Sequence, residues 1–194
     1  MAVRAYYLPA NPASAIDASR PVSVEQLNAL GWKISFVGGG YNEIEQAGRK
    51  LAQNLGYPVT QEGCIVPFSF DLAKNAAAMT PQMTALLMKG VEINNSHICV
   101  ANGGFVALTG GSPYFDVEDV TTAGWVRIHL VAGMLVGVPP GAKYRVPFNE
   151  QNRGAVGFMF FKETISNIGL LVKNEIDNHP ARRAYLNAQA LGKA

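Results

Sequence analysis

The sequence predicts a mainly β protein of the α+β kind, a small β-barrel with helices before and after it. Three observations carry this. From about Asn95 to Phe161, short apolar stretches alternate with Gly-, Pro-, Asn- and Ser-rich turns, the grammar of antiparallel strands. On either side of that region, apolar residues recur at helical spacing instead. And 48% of the 194 residues are apolar, enough for one sizeable core.

The elements follow in order. Val3-Arg4-Ala5-Tyr6-Tyr7 alternates like a strand. Ser23-Val24-Glu25-Gln26 has the form of a capping box, so a short helix is expected to run to Leu30 and stop at Gly31. Trp32 to Val37 reads as a strand, broken by Gly38-Gly39-Gly40. Glu43 to Leu55 is the clearest helix, with Ile44, Ala47, Leu51 and Leu55 on one face and Gly56 as its stop. A further helix is expected from Pro81 to Lys89, with Thr80 as N-cap, Gly90 as terminator, and Met83, Leu86 and Leu87 apolar. His97–Ala101 and Phe105–Leu108, around Asn102-Gly103-Gly104, read as a hairpin. Strands follow near Tyr114–Val117, Val126–Val131, Met134–Val138, Tyr144–Val146 and Ala155–Phe161. Pro180 opens a final helix, Ala181–Leu191, with Arg182 and Arg183 expected on a solvated face. The chain thus divides into a mixed α/β part (1–94), a barrel core (95–162) and a helical carboxy-terminal segment (163–194), all within one domain.

Composition narrows the function classes. Sixteen Lys+Arg against 14 Asp+Glu leave a net charge of +2, no electrostatic footprint for nucleic acid. The longest apolar stretch, Leu130 to Pro140, falls well short of the ~18 residues of a membrane span. Cys64 and Cys99 do not make a disulfide framework, which points to a reducing compartment, cytoplasmic by default with an organelle left open. Cys64, beside Ile65 and Val66, reads as a buried inert thiol. The glycine runs lack the pattern of a phosphate-binding loop and are turns.

Several segments, in order, resemble one family. Ser112-Pro113-Tyr114-Phe115-Asp116-Val117-Glu118-Asp119 and Trp125-Val126-Arg127-Ile128 look like the strand pair of acireductone dioxygenases. Gly133, Pro139 and Gly141 keep the spacing Gly-x5-Pro-x-Gly, a cupin signature. His179-Pro180-Ala181-Arg182-Arg183-Ala184-Tyr185-Leu186 resembles the family's carboxy terminus. Val3–Tyr7, Val24–Leu30 and Leu55-Gly56-Tyr57 fit as well, so the resemblance covers nearly the whole chain. It implies a cupin-like β-barrel (a double-stranded β-helix or jelly roll) with flanking helices. It also implies a relative of enzymes that use Fe(II) or Ni(II) to oxidise an acireductone in methionine salvage. Their metal is held by His-x-His, a Glu four residues on, and a later His.

Carried over position by position, the His pair falls on Ile98 and Val100, the Glu on Gly104 and the later His on Tyr144. An Arg two residues after that Glu falls on Val106. The resemblance therefore implies a degenerate site with no metal, cofactor or catalytic residue. If the register slips by one, His97 and Cys99 become the ligand pair, still without a carboxylate at Gly104 and with only Tyr144 beyond. Strand alternation sends His97 and Cys99 outward if Ile98 and Val100 face in.

Two function classes follow. One is a non-catalytic, metal-free pseudoenzyme that serves as a structural subunit of a larger protein complex. The 15% charged residues, against about 25% in an average soluble domain, favour it. Phe158, Phe160 and Phe161 are a candidate partner-facing patch. The alternative is an enzyme, either a dioxygenase with a rebuilt site or a metal-free catalyst using Tyr144, His129 and Arg127, or else a small-molecule-binding cupin. Asp116, Glu118 and Asp119 read as a solvated acidic strand end. Arg127, Lys143, Arg145 and Arg153 read as scattered surface charge.

Overall fold

A computed structural model describes residues 3–9, 20–60, 62–71, 97–147, 154–172 and 174–192. Two mostly antiparallel sheets face each other. The six-stranded sheet has the order β1 (Arg4–Tyr7), β7 (Gly124–His129), β6 (Tyr114–Asp119), β9 (Tyr144–Arg145), β4 (Ile98–Val100), β11 (Leu170–Val172). The five-stranded sheet has the order β2 (Ile34–Phe36), β8 (Met134–Val138), β5 (Gly104–Gly111), β10 (Gly154–Phe160), β3 (Ile65–Asp71). The 95–162 span supplies the middle strands, and β1, β2, β3 and β11 add the edges from either side of it.

The expected hairpin at Gly103 is not one. β4 pairs with β9 and β11, whereas β5 pairs with β8 and β10, so the turn carries the chain from one sheet to the other. Short strands around a glycine fit both arrangements; the buried faces on each side decide between them.

The glycines of the Gly-x5-Pro-x-Gly spacing have physical reasons. Gly133 has φ +90° and a Cβ there would lie 2.6 Å from the Val37 carbonyl oxygen. Gly141 has φ +79° and a Cβ would run into the Ala181 carbonyl. Both positions combine the left-handed region with close backbone approach, which only glycine tolerates.

Helix α1 (Val24–Ala29) begins with the expected capping box: Gln26 N–H donates to Ser23 Oγ, and Ser23 N–H donates to Gln26 Oε1. Helix α2 (Tyr41–Asn54) lies on the outer face of the five-stranded sheet, its Ile44 and Ala52 buried on Phe105, Ala107, Leu135, Phe158 and Phe160. Helices α3 (Asn174–Asn178) and α4 (Pro180–Ala190) close the chain. His179 caps α4, its Nδ1 accepting from Ala181 N–H, and Pro180 sits in the first turn. The helix expected at Pro81–Lys89 lies outside the described residues, as does Arg153. Among the described residues, no helix is long and apolar enough to cross a membrane.

Two further expectations need correction. Phe158, Phe160 and Phe161 form no outward patch: they are 4%, 0% and 6% exposed. Phe158 and Phe160 pack under α2, and Phe161 turns into the space between the sheets. The chain has already used these rings for its own core. Arg182 is buried as well, not solvated, because α4 presses it against β6, where it donates to Glu118; Arg183 is exposed.

Candidate functional site

The space between the sheets is where a cupin builds its chemistry. Ile98 pairs directly with Tyr144 across β4 and β9, so both point to the same side, and Val100 follows on that side by alternation. All three pack into the central cluster with Leu108, Phe115, Val117, Val126 and Ile128. From the opposite sheet, Val106 faces the same cluster. A Cβ on Gly104 would lie 2.9 Å from the Phe161 ring and 2.8 Å from the Phe160 carbonyl oxygen. Phe161 thus occupies the direction in which a residue-104 side chain would project.

Aromatic rings fill the centre. Trp32 meets Tyr144 edge-on, with centroids 5.6 Å apart, and meets Phe115 edge-on at 6.1 Å. Phe115 and Tyr144 lie 5.4 Å apart. Such tilted pairs suit the ring quadrupole and add to the area buried. Burial, with a smaller contribution from Cys99, pushes the Tyr144 phenol far above its ordinary range. A phenolate there is disfavoured. Trp32 Nε1 has no hydrogen-bond partner among the described residues, but an indole N–H is only a donor and does not ligate a cation.

The three histidines of the chain are all elsewhere. His97 stacks on Trp125 at 4.4 Å, on the outer face of the six-stranded sheet. Its pKa is lowered by burial first, then by Arg145 and Lys143. His129 packs against Tyr114 at 5.0 Å on that same face, its pKa lowered by burial and by Arg4. His179 caps α4. The slipped register is therefore closed, because His97 and Cys99 alternate away from Tyr144. Cys99 is fully buried, and burial pushes its thiol up to about 11. Burial also raises the Cys64 thiol. The trio of Tyr144, His129 and Arg127 is likewise split, the phenol inside and the other two outside. Among the described residues, no three His, Cys, Asp or Glu side chains gather to hold a metal ion.

The outer face holds what the sequence reading missed. Asp116 is fully buried, not solvated. Arg127 grips it with two bonds, Nε at 2.6 Å and Nη2 at 2.8 Å, and Arg145 Nε adds a third at 2.9 Å. Arg145 also lies over the Trp125 ring and Arg127 over Tyr114. Lys143 pairs with Asp177 at 2.6 Å. Asp119 is buried too, accepting from Tyr7 Oη at 2.6 Å, Thr121 Oγ1 at 2.6 Å and the Thr121 N–H at 2.9 Å. Each acid of the presumed solvated cluster has its own partner, so no carboxylate pair forms for acid–base work. The signal was available: a turn at Thr121–Gly124 with strands on both sides sets Asp116 opposite Arg127.

No family model matches the chain. It is 26% identical over 172 residues to the acireductone dioxygenase of Yarrowia lipolytica, covering 89% of this chain and 88% of that one. It is 36% identical over 84 residues to the acireductone dioxygenase of Puccinia graminis f. sp. tritici, covering 43% of this chain and 45% of the fungal protein. Among solved structures, the acireductone dioxygenase from Bacillus anthracis, which holds a cadmium ion in its active centre, matches with a TM-score of 0.59. The identity is 13%, and the match covers 84% of this chain and 94% of that one. The chain is similar in sequence to acireductone dioxygenases along most of its length. The fold is theirs: a cupin-like pair of β-sheets with flanking helices.

The donor set does not fit the Fe(II) or Ni(II) that the resemblance implies. Ile98, Val100 and Gly104 carry no side-chain donor, and the phenol of Tyr144 is held protonated. Divalent metals of this kind need imidazole or carboxylate ligands.

Proposed function

We propose that this chain is a non-catalytic acireductone dioxygenase-like cupin, one domain throughout its 194 residues, that serves as a structural subunit of a larger protein assembly. One observation carries the first half. Ile98, Val100, Gly104 and Tyr144, the positions to which the resemblance assigns the metal ligands, lie in an interior packed by Trp32, Phe115 and Phe161. Apolar contacts of this kind contribute about 1.5–3 kcal/mol per large side chain, so the former site works as core. The low charge content supports the second half, since obligate interfaces are poor in charge. The alternative of a rebuilt dioxygenase site draws on no described side chain of the interior.

The test has two arms. The purified protein is loaded anaerobically with Fe(II) or Ni(II), assayed for metal and supplied with an acireductone and oxygen; neither stoichiometric metal nor turnover is expected. Native extract is then sized. Migration far above the monomer mass of 20.8 kDa is expected, whereas turnover in the first arm or a monomer peak in the second defeats the corresponding half.

A further inference from the structure

Among the described residues, the outer faces of the two sheets are finished differently. Helix α2 covers the five-stranded sheet. Over β1, β7 and β6 of the other sheet, no helix lies among the described residues; α3 and α4 reach only its Glu118 and Lys143 end. That face carries half-buried Tyr6, Tyr114, Trp125 and His129 around the Arg127–Asp116–Arg145 row. Trp, Tyr and Arg are the residue types that dominate binding energy at protein interfaces.

Among the described residues, the charges on this face do not balance. Glu118 is taken by Arg182 and Asp177 by Lys143. At the centre, two guanidiniums share the single carboxylate of Asp116, and Arg4 stands exposed opposite His129. Arg145 spends its Nε on Asp116, and its side chain keeps 30% exposure. Its position is fixed by that bond and by the Trp125 ring beneath it, 5.0 Å away. A guanidinium held this way loses little freedom on meeting a partner. The complement of such a face is a carboxylate flanked by apolar groups.

We propose that the outer face of the six-stranded sheet is a docking surface for a protein subunit that offers Asp or Glu side chains to Arg145 and Arg4 and apolar side chains to Trp125 and Tyr114. This rests on the subunit reading and names the chemistry of its partner. RNA would also favour arginines beside aromatic rings, but three carboxylates share this face and the whole chain carries only +2.

The assembly is isolated from its own cells through a tag on this chain. Hydroxyl-radical footprinting then compares it with the free recombinant chain. Tyr6, Tyr114 and Trp125 are expected to lose reactivity in the assembly, while Tyr41, exposed on α2, keeps it. Arg4→Glu combined with Arg145→Gln should cut incorporation about tenfold, a 1.4 kcal/mol effect, with Lys50→Glu as the unaffected control. Raised salt should release the wild-type chain. Protection of Tyr41 with Trp125 still reactive, release by nuclease, or full incorporation of the double variant at wild-type thermal stability would each overturn the surface or its acidic partner. A chain that migrates alone in native extract sinks the subunit reading instead, a result separable from all of these.

Discussion

The two sides of the six-stranded sheet share the same strands and differ in everything else. Inward, Ile98, Val100, Phe115, Val117, Val126, Ile128 and Tyr144 meet as hydrocarbon and rings. Outward, His97, Asp116, Trp125, Arg127, His129 and Arg145 meet as charge, imidazole and indole. Alternation by one residue separates the two sets. In a metal-binding cupin the polar chemistry sits inside. Here the imidazoles and the paired charges lie outside, and the interior gains its stability from packing.

The largest expected effect comes from placing a carboxylate in the interior. Gly104→Glu puts a carboxylate there, but the side chain must enter against the Phe161 ring and the Phe160 carbonyl. It also buries a charge without a partner, which costs several kcal/mol. Loss of the folded state at 25 °C is expected by circular dichroism. A variant that folds with wild-type stability would mean the interior holds room and polarity that the packing denies. Trp32→Ala, which only removes a ring from the same cluster, should cost ~3–5 kcal/mol in urea unfolding.

The outer face breaks differently. Asp116→Asn leaves Arg127 and Arg145 facing each other without their shared carboxylate. Removing one partner of a buried ion pair costs ~3–5 kcal/mol. Arg145→Ala should cost less, since Arg127 keeps its two bonds to Asp116. If the two substitutions cost the same, the row is not a network centred on the acid.

These regions were not equally legible in the sequence. The interior was, because a β-strand writes its buried face as alternate apolar residues, and the family spacing placed Ile98, Val100, Gly104 and Tyr144 within it. What alternation does not reveal is which sheet a strand joins, so β4 and β5 looked like a hairpin. It also does not reveal what covers the other face. Phe158 and Phe160 read as outward because α2, which lies on them, is distant in the chain. Asp116 read as solvated because the two arginines that close over it, Arg127 and Arg145, lie 11 and 29 residues on. β11 and α3 left no clear periodicity, being three and five residues long.

Acid should weaken the molecule through Asp119. Burial alone would raise its pKa, but the bonds from Thr121, Tyr7 and Thr122 together outweigh that and lower it. A depressed folded pKa means the stabilisation is complete above the ordinary carboxylate value of ~3.9 and disappears as pH falls through the folded value. Asp119→Asn should therefore cost ~1.5–3 kcal/mol at neutral pH, and its gap to wild type should close below about pH 4. A gap that stays constant down to pH 2 would assign the effect to shape instead of charge.

The smallest effect returns to the interior. Tyr144→Phe removes one hydroxyl and keeps the ring against Trp32 and Phe115. If the position is core, the loss should stay under ~1 kcal/mol in urea unfolding, the ordinary worth of one hydrogen bond. Tyr144→Ala, which deletes the ring, should cost several times more. The ratio between the two variants is the informative quantity. A Phe variant as damaging as the Ala variant would mean that the hydroxyl holds something polar inside the barrel, and the division between an apolar inside and a polar outside would fail at Tyr144.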